Sequence, residues 1–84
     1  MRLDVALHEL RQFKSRSQAQ AAIAGGDVLL NNQRVKPSHE LRAGDRLTFV
    51  GESHRRTVEV LELPHRSLSK DAAKALVREV GDEE

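Results

Sequence analysis

The chain has 84 residues, of which 38% are hydrophobic, and its 14 Lys/Arg against 13 Asp/Glu give a formal net charge of +1. That length allows one domain near the lower limit for a self-sufficient core. With no Cys, Trp or Tyr, and Phe13 and Phe49 as the only aromatics, disulfides and thiolate chemistry are excluded, as is base stacking as the main mode of nucleic-acid binding.

The first segment, Arg2 to about Gln12, reads as an amphipathic helix. Leu3, Leu7 and Leu10 recur at i, i+4, i+7, and Ala6 widens the stripe. Asp4 falls in the first turn, where a carboxylate suits the helix dipole, and a salt bridge to Arg16 is an available extra. A short basic loop, Phe13 to Ser15, then feeds a second helix. Ser15 and Gln18 have the spacing of a capping box, in which each side chain reaches an unpaired backbone N–H. Ala19, Ala22 and Ile23 make a narrow apolar stripe, and Gly25 or Gly26 closes the helix in the left-handed conformation.

Val28-Leu29-Leu30 and Gln33-Arg34-Val35 read as short strands around Asn31-Asn32, since Asn tolerates the positive φ of a tight hairpin turn. Pro37 takes the chain out of the second strand and holds Lys36 extended. A Gly44-Asp45 turn leads into the β-prone run Leu47-Thr48-Phe49-Val50, and residues 51–55 are turn-like. Thr57 to Leu63 is the next strand, with Val58 and Val60 inward, Glu59 outward, and Leu61 breaking the alternation. Ser69 is the expected N-cap of a last helix, roughly Lys70 to Val80, striped by Leu68, Ala72, Ala75 and Leu76. The acidic tail Gly81-Asp82-Glu83-Glu84 is expected to fray. The expected fold is α+β: a single small domain in the order α-α-β-β-β-β-α. Two N-terminal helices pack on a small, mostly antiparallel sheet, and the C-terminal helix covers one side of it.

Charge singles out the second helix. Between Leu10 and Ala24 there are three basic residues, Arg11, Lys14 and Arg16, and no acid. Cations beside a helix N-terminus oppose its dipole unless an anion arrives, and the unpaired N–H groups there suit a phosphate. Residues 1–50 hold eight Lys/Arg against five Asp/Glu, whereas residues 51–84 hold six against eight. The basic face belongs to the N-terminal half, and the low total charge argues for a localised site rather than general polyanion binding.

An ordered set of residues carries a family resemblance: Arg2-Leu3-Asp4, Lys14-Ser15-Arg16-Ser17, Ala19, Ala22-Ile23, Gly26, Val28, the Asn turn, Val35-Lys36-Pro37-Ser38 and Gly44-Asp45. Over residues 2–50 the chain resembles the RNA-binding domain of small-subunit ribosomal protein four, the S-four domain. Gly51, Arg56 to Val60, Arg66 and a final helix with Ala72, Ala75, Leu76 and Glu79 extend the likeness to the ribosome-associated heat-shock protein fifteen family. The acidic tail and Asn31-Asn32 depart from the basic extension and the Asn-Gly turn usual among such proteins. The resemblance implies residues 1–63 as the RNA-binding domain, with residues 64–84 as a C-terminal helix and tail packed on it or extending it. It also implies structured RNA as the partner, ribosomal RNA or tRNA on the large ribosomal subunit, in ribosome recycling or stalled-ribosome rescue.

On that reading Lys14 and Arg16 contact phosphates, with Ser17 adding a neutral hydrogen bond and Arg11 adding charge. Gln18 and Gln20 reach a sugar hydroxyl or a base edge, though Gln18 has an equal use in the capping box. Arg2 on one flank, with Arg34, Lys36 and Ser38 beyond the hairpin, extends the face; Arg42 serves solvation. Three to five neutralised phosphates imply a log–log salt slope of about −3 to −4. No catalytic role is expected. The four histidines, His8, His39, His54 and His65, are scattered, with no metal-ligand spacing, no nucleophile elbow and no phosphate-binding glycine loop. No metal or cofactor is expected. The competing readings are a protein-interaction adaptor built on the last helix and tail, and DNA binding through the same basic face. No apolar run has the length of a membrane span, so a cytoplasmic protein, monomeric when free, is the expectation.

Overall fold

The computed structural model describes residues 1–51, 55–65 and 69–80. His54, Arg66, Leu68, part of the expected turn at 51–55 and the acidic tail lie outside the described residues.

Helix α1 spans Leu3–Glu9 and α2 spans Arg16–Ala24. Strands β1 (Val28–Leu30), β2 (Arg46–Val50) and β3 (Arg55–Val60) follow, then a short helix α3 (Lys70–Ala75) and strand β4 (Val77–Val80). The four strands form one antiparallel sheet in the order β1-β2-β3-β4. This agrees with the α+β class and antiparallel sheet read from the sequence.

The apolar stripes of the two N-terminal helices bury as the periodicity requires. Leu3, Ala6 and Leu7 of α1 and Ala19 and Ile23 of α2 are fully buried with Val28, Leu41, Leu47 and Val60 in one core. Val58 and Val60 point inward on β3, as expected from the alternation, and Leu61 is exposed where the strand ends.

Both helices close the same way. In α2, Gly26 takes φ +84°, its N–H bonds to Ile23 O and the Asp27 N–H to Ala22 O, the paired bonds of a Schellman stop. Of the two glycines the sequence offered, Gly26 is the one in the left-handed region. In α1, Arg11 occupies the equivalent position at φ 64°, with Arg11 N–H on His8 O and Gln12 N–H on Leu7 O. The stop makes α1 shorter than the expected Arg2 to Gln12.

Two segments differ from expectation. Asn31 and Asn32 both take positive φ, and Leu30 and Gln33 exchange backbone bonds, so the tight turn forms. Its second arm, however, is a single bridge, Leu30 to Gln33, rather than a strand through Val35. The chain is pulled away instead. Arg34 turns back to donate to Ala24 O, and the following residues pair with the N-terminus through Asp4 N–H to Pro37 O and Leu3 N–H to His39 O. The expected C-terminal helix also divides. Ser69 Oγ accepts from Ala72 N–H, the cap the sequence indicated, but the helix ends at Ala75 and Val77–Val80 pairs with the open edge of β3. Valines at both ends of β4 and the Arg78–Glu59 cross-strand ion pair favour the strand. The buried residue of α3 is Ala73, whereas Ala72 and Ala75 are exposed.

Candidate nucleic-acid interface

The N-terminus of α2 is built as its sequence dictates. Ser15 Oγ accepts from Gln18 N–H at 3.1 Å, and Gln18 Oε1 accepts from Lys14 N–H at 3.2 Å. Ser15 therefore works as a cap, and Gln18 commits its carbonyl oxygen to the same turn.

Behind this turn lies Asp4, whose side chain is fully buried. Arg2 reaches it through Nε at 3.1 Å and Nη2 at 2.9 Å, Gln20 through Nε2 at 2.9 Å, and the Val5 N–H at 2.7 Å. Arg16 Nε stands 3.5 Å away. Burial by itself would raise the pKa of this carboxyl. The hydrogen bonds from Gln20, Arg2 and Val5, with the Arg2 charge, outweigh burial and hold it at about 2. Asp4 is thus ionised at neutral pH and draws α1, the N-terminal arm and α2 to one point. The Arg2 and Arg16 side chains remain about half exposed, at 47% and 50%, so their charge is still presented to solvent.

Around this point runs a shallow groove of about 580 Å³ lined by Arg2, Ser17, Gln20, Ala21, Ala24, Lys36, Pro37 and Ser38. Five sequence-predicted residues, Arg2, Ser17, Gln20, Lys36 and Ser38, therefore share one concavity, although they come from three separate stretches. The backbone bonds of Asp4 to Pro37 and of Leu3 to His39 put the Lys36–Ser38 loop there.

Other predicted residues lie elsewhere. Arg11 and Lys14 line a second hollow, about 640 Å³, beside His8, Gln12, Phe13 and Lys70. Arg34 folds over Gly26 and donates from Nη2 to Ala24 O at 2.9 Å, so it caps the last turn of α2. Arg42 is exposed, and its N–H bonds to the Asp45 carboxylate in the turn. Among the described residues, no three His, Asp or Glu side chains cluster to hold a metal, and no helix is long and apolar enough to cross a membrane.

The structure adds two features that periodicity and spacing do not show. Asp4 stands in the first turn of α1 and beside Arg16, as read from the sequence, but it also gathers Arg2 and Gln20 and so becomes the centre of the site. Arg56 joins the loop before α2 to the sheet. Its guanidinium lies 5.0 Å from the Phe49 ring centroid, Nη2 donates to Gln12 Oε1 at 2.6 Å, and Nη1 is 3.7 Å from Glu79. Phe13 packs against Phe49 with centroids 6.4 Å apart. No local pattern announces a contact across 44 residues.

Comparison with known proteins agrees with this architecture. The S4 domain family profile matches residues 1–47. A heat shock protein 15 homolog from Aeromonas salmonicida is 35% identical over 79 residues, 94% of this chain and 60% of that protein. The chain thus spans about three fifths of that relative's length. Vibrio cholerae heat shock protein 15, described as trimeric at 2.3 Å resolution, superposes with a TM-score of 0.88 at 31% identity, covering 95% of this chain and 81% of that one. The chain belongs to the S4 domain family, and within that family it stands close to heat shock protein 15.

Proposed function

We propose that this chain binds structured RNA with the face formed by the start of α2, Arg2 and the Lys36–Ser38 loop. The observation that carries the reading is the shared groove, in which two cations, two hydroxyls and an amide converge on a helix flank. Cations fix phosphates and neutral groups orient the sugar and base edges, which is how structured RNA is held without stacking. Its partner is ribosomal RNA, or tRNA on the large ribosomal subunit, and its work is ribosome recycling or stalled-ribosome rescue in the cytoplasm. The kinship with heat shock protein 15 supports that placement. The chain acts by binding and not by catalysis.

Arg2, Lys14, Arg16 and Lys36, set against buried Asp4, leave enough charge for about three phosphates, and so a log–log salt slope of about −2 to −3. Titrating salt against binding to a ribosomal RNA stem-loop tests this, and a flat response overturns the electrostatic reading. The Lys14→Ala, Arg16→Ala double variant is expected to lose binding while remaining folded; full retained affinity would place the site elsewhere. We also propose that the free protein is a monomer. Among the described residues, the exposed large apolar side chains are Val50, Leu61 and Leu63, each at 37–44%. Light scattering that returns a trimer mass would overturn that part alone.

A further inference from the structure

Gln20 is held in one orientation by chemistry. An ionised carboxylate only accepts hydrogen bonds, so the 2.9 Å contact with Asp4 Oδ2 must be made by the Gln20 amide nitrogen. The Gln20 carbonyl oxygen is then the other end of the amide, and the side chain lines the groove with Arg2, Ser17, Lys36 and Ser38. Among the described residues nothing donates to that oxygen. Among the described residues lining the groove it is the only side-chain carbonyl; the Ser17 and Ser38 hydroxyls both donate and accept, and Arg2 and Lys36 are pure donors.

A phosphate oxygen cannot satisfy it, because phosphate oxygens accept as well. The oxygen is open to solvent in the free protein, so a ligand group that takes the place of water there has to bring a donor of its own. In RNA every nucleotide carries one beside the phosphate, the ribose 2′-hydroxyl, and DNA has none. An amino group on a base edge would serve only at particular sequences, whereas the 2′-hydroxyl recurs along the strand at a fixed place relative to the phosphates.

We propose that Gln20, oriented by Asp4, accepts a hydrogen bond from a ribose 2′-hydroxyl next to the phosphates held by Arg2 and Lys36, so that this pair makes the face selective for RNA over DNA. The inference rests on the RNA-binding reading and deepens it: Gln20 is a specificity contact and Asp4 its positioning residue.

The test uses the full chain and one labelled stem-loop, the tightest binder among fragments of ribosomal RNA, prepared with ribose and with 2′-fluoro-ribose. The fluoro sugar keeps the A-form pucker and removes the donor. The wild-type chain should bind the ribose form about tenfold tighter, the worth of one good hydrogen bond. Gln20→Ala should bring that ratio close to one; alanine suits a helix, and a thermal melt checks that Asp4 stays in place without the lost donor. Asp4→Asn, which offers a donor as well as an acceptor, should free the amide to turn and lower the ratio, whatever the change in charge does to both ligands alike. A changed ratio separates positioning from a general loss of structure, which would weaken both ligands together. A wild-type ratio of one, or an unchanged ratio in Gln20→Ala, overturns the proposal while leaving the phosphate contacts standing. Failure of the wild-type chain to bind any ribose stem-loop overturns the RNA-binding reading as well.

Discussion

Asp4 has two tasks that pull against each other. It gathers Arg2, Arg16 and Gln20, and it cancels part of the charge that would draw a phosphate. Burying a carboxylate is costly unless charged and neutral donors surround it, and here they lower its pKa from 3.8 to about 2. A carboxyl whose pKa is lower in the folded state contributes its stabilisation above its unfolded pKa, where both states are ionised. As the solution becomes more acidic, the unfolded chain takes up the proton first, and the contribution is gone once the pH has fallen through about 2. The contribution is about 2 kcal/mol. Denaturation followed from pH 5 to pH 1.5 should show the wild-type chain losing that amount over the acid limb of the curve. Asp4→Asn should lack that part of the slope, starting lower and converging with the wild-type chain in acid. Parallel curves would mean that the ion pairs around Asp4 add nothing net.

At the scale of the elements, α2 was the most legible part of the chain because its start and stop are local chemistry. Ser15, Gln18 and the glycine pair sit within a few residues of the groups they satisfy, and the structure uses them nearly as the spacing indicates. Ser15→Ala should cost about 1 kcal/mol by leaving a first-turn N–H unpaired. The glycines separate by backbone conformation and not by space, since a Cβ at Gly25 would lie 3.2 Å from Ala21 O. Gly26→Ala forces a side chain into the left-handed region and sets a Cβ 3.1 Å from Arg34 Nε, so it should cost about 1–2 kcal/mol in thermal or urea unfolding. Gly25 has an ordinary right-handed conformation, so Gly25→Ala should cost less, and the reverse ranking would misplace the helix stop. Illegible segments were those decided by distant partners. Gln33-Arg34-Val35 has strand-like residues, yet Arg34 is drawn to Ala24 O and the chain beyond it to the N-terminal arm. Val77–Val80 falls within the helix expected from Lys70 to Val80, but the unpaired edge of β3 offers four residues a ladder. The groove followed the same rule. Arg16 at the start of α2 and its pairing with Asp4 were visible in the sequence, whereas Arg2 and Gln20 as further partners of the same carboxylate depended on packing between the N-terminal arm and two helices.

On the scale of the whole molecule, one guanidinium ties the loop between α1 and α2 to the sheet. The loop between α1 and α2 carries Arg11 and Lys14, and its Gln12 and Phe13 lie against β2 and β3 through Arg56 and Phe49. Arg56 also approaches Glu79 of β4, so the last strand reaches the loop through the same side chain. Arg56 lies outside the groove residues, so an effect of its loss on RNA binding travels either through the loop or through long-range charge. Arg56→Ala removes a hydrogen bond and a cation–π contact, which together should cost about 1–2 kcal/mol of stability. It should also weaken binding to a ribosomal RNA stem-loop several-fold, measured well below the unfolding temperature, because Lys14 would no longer be held at a fixed distance from Arg16. Arg56→Lys keeps the charge but loses the planar fork that spans Gln12, Phe49 and Glu79, so it should resemble the alanine variant. Arg42→Ala removes an equal charge from an exposed turn and should leave both measurements unchanged. If Arg56→Lys restores RNA affinity fully, the residue acts by long-range charge alone; if it does not and Arg42→Ala is silent, the sheet positions the loop that binds.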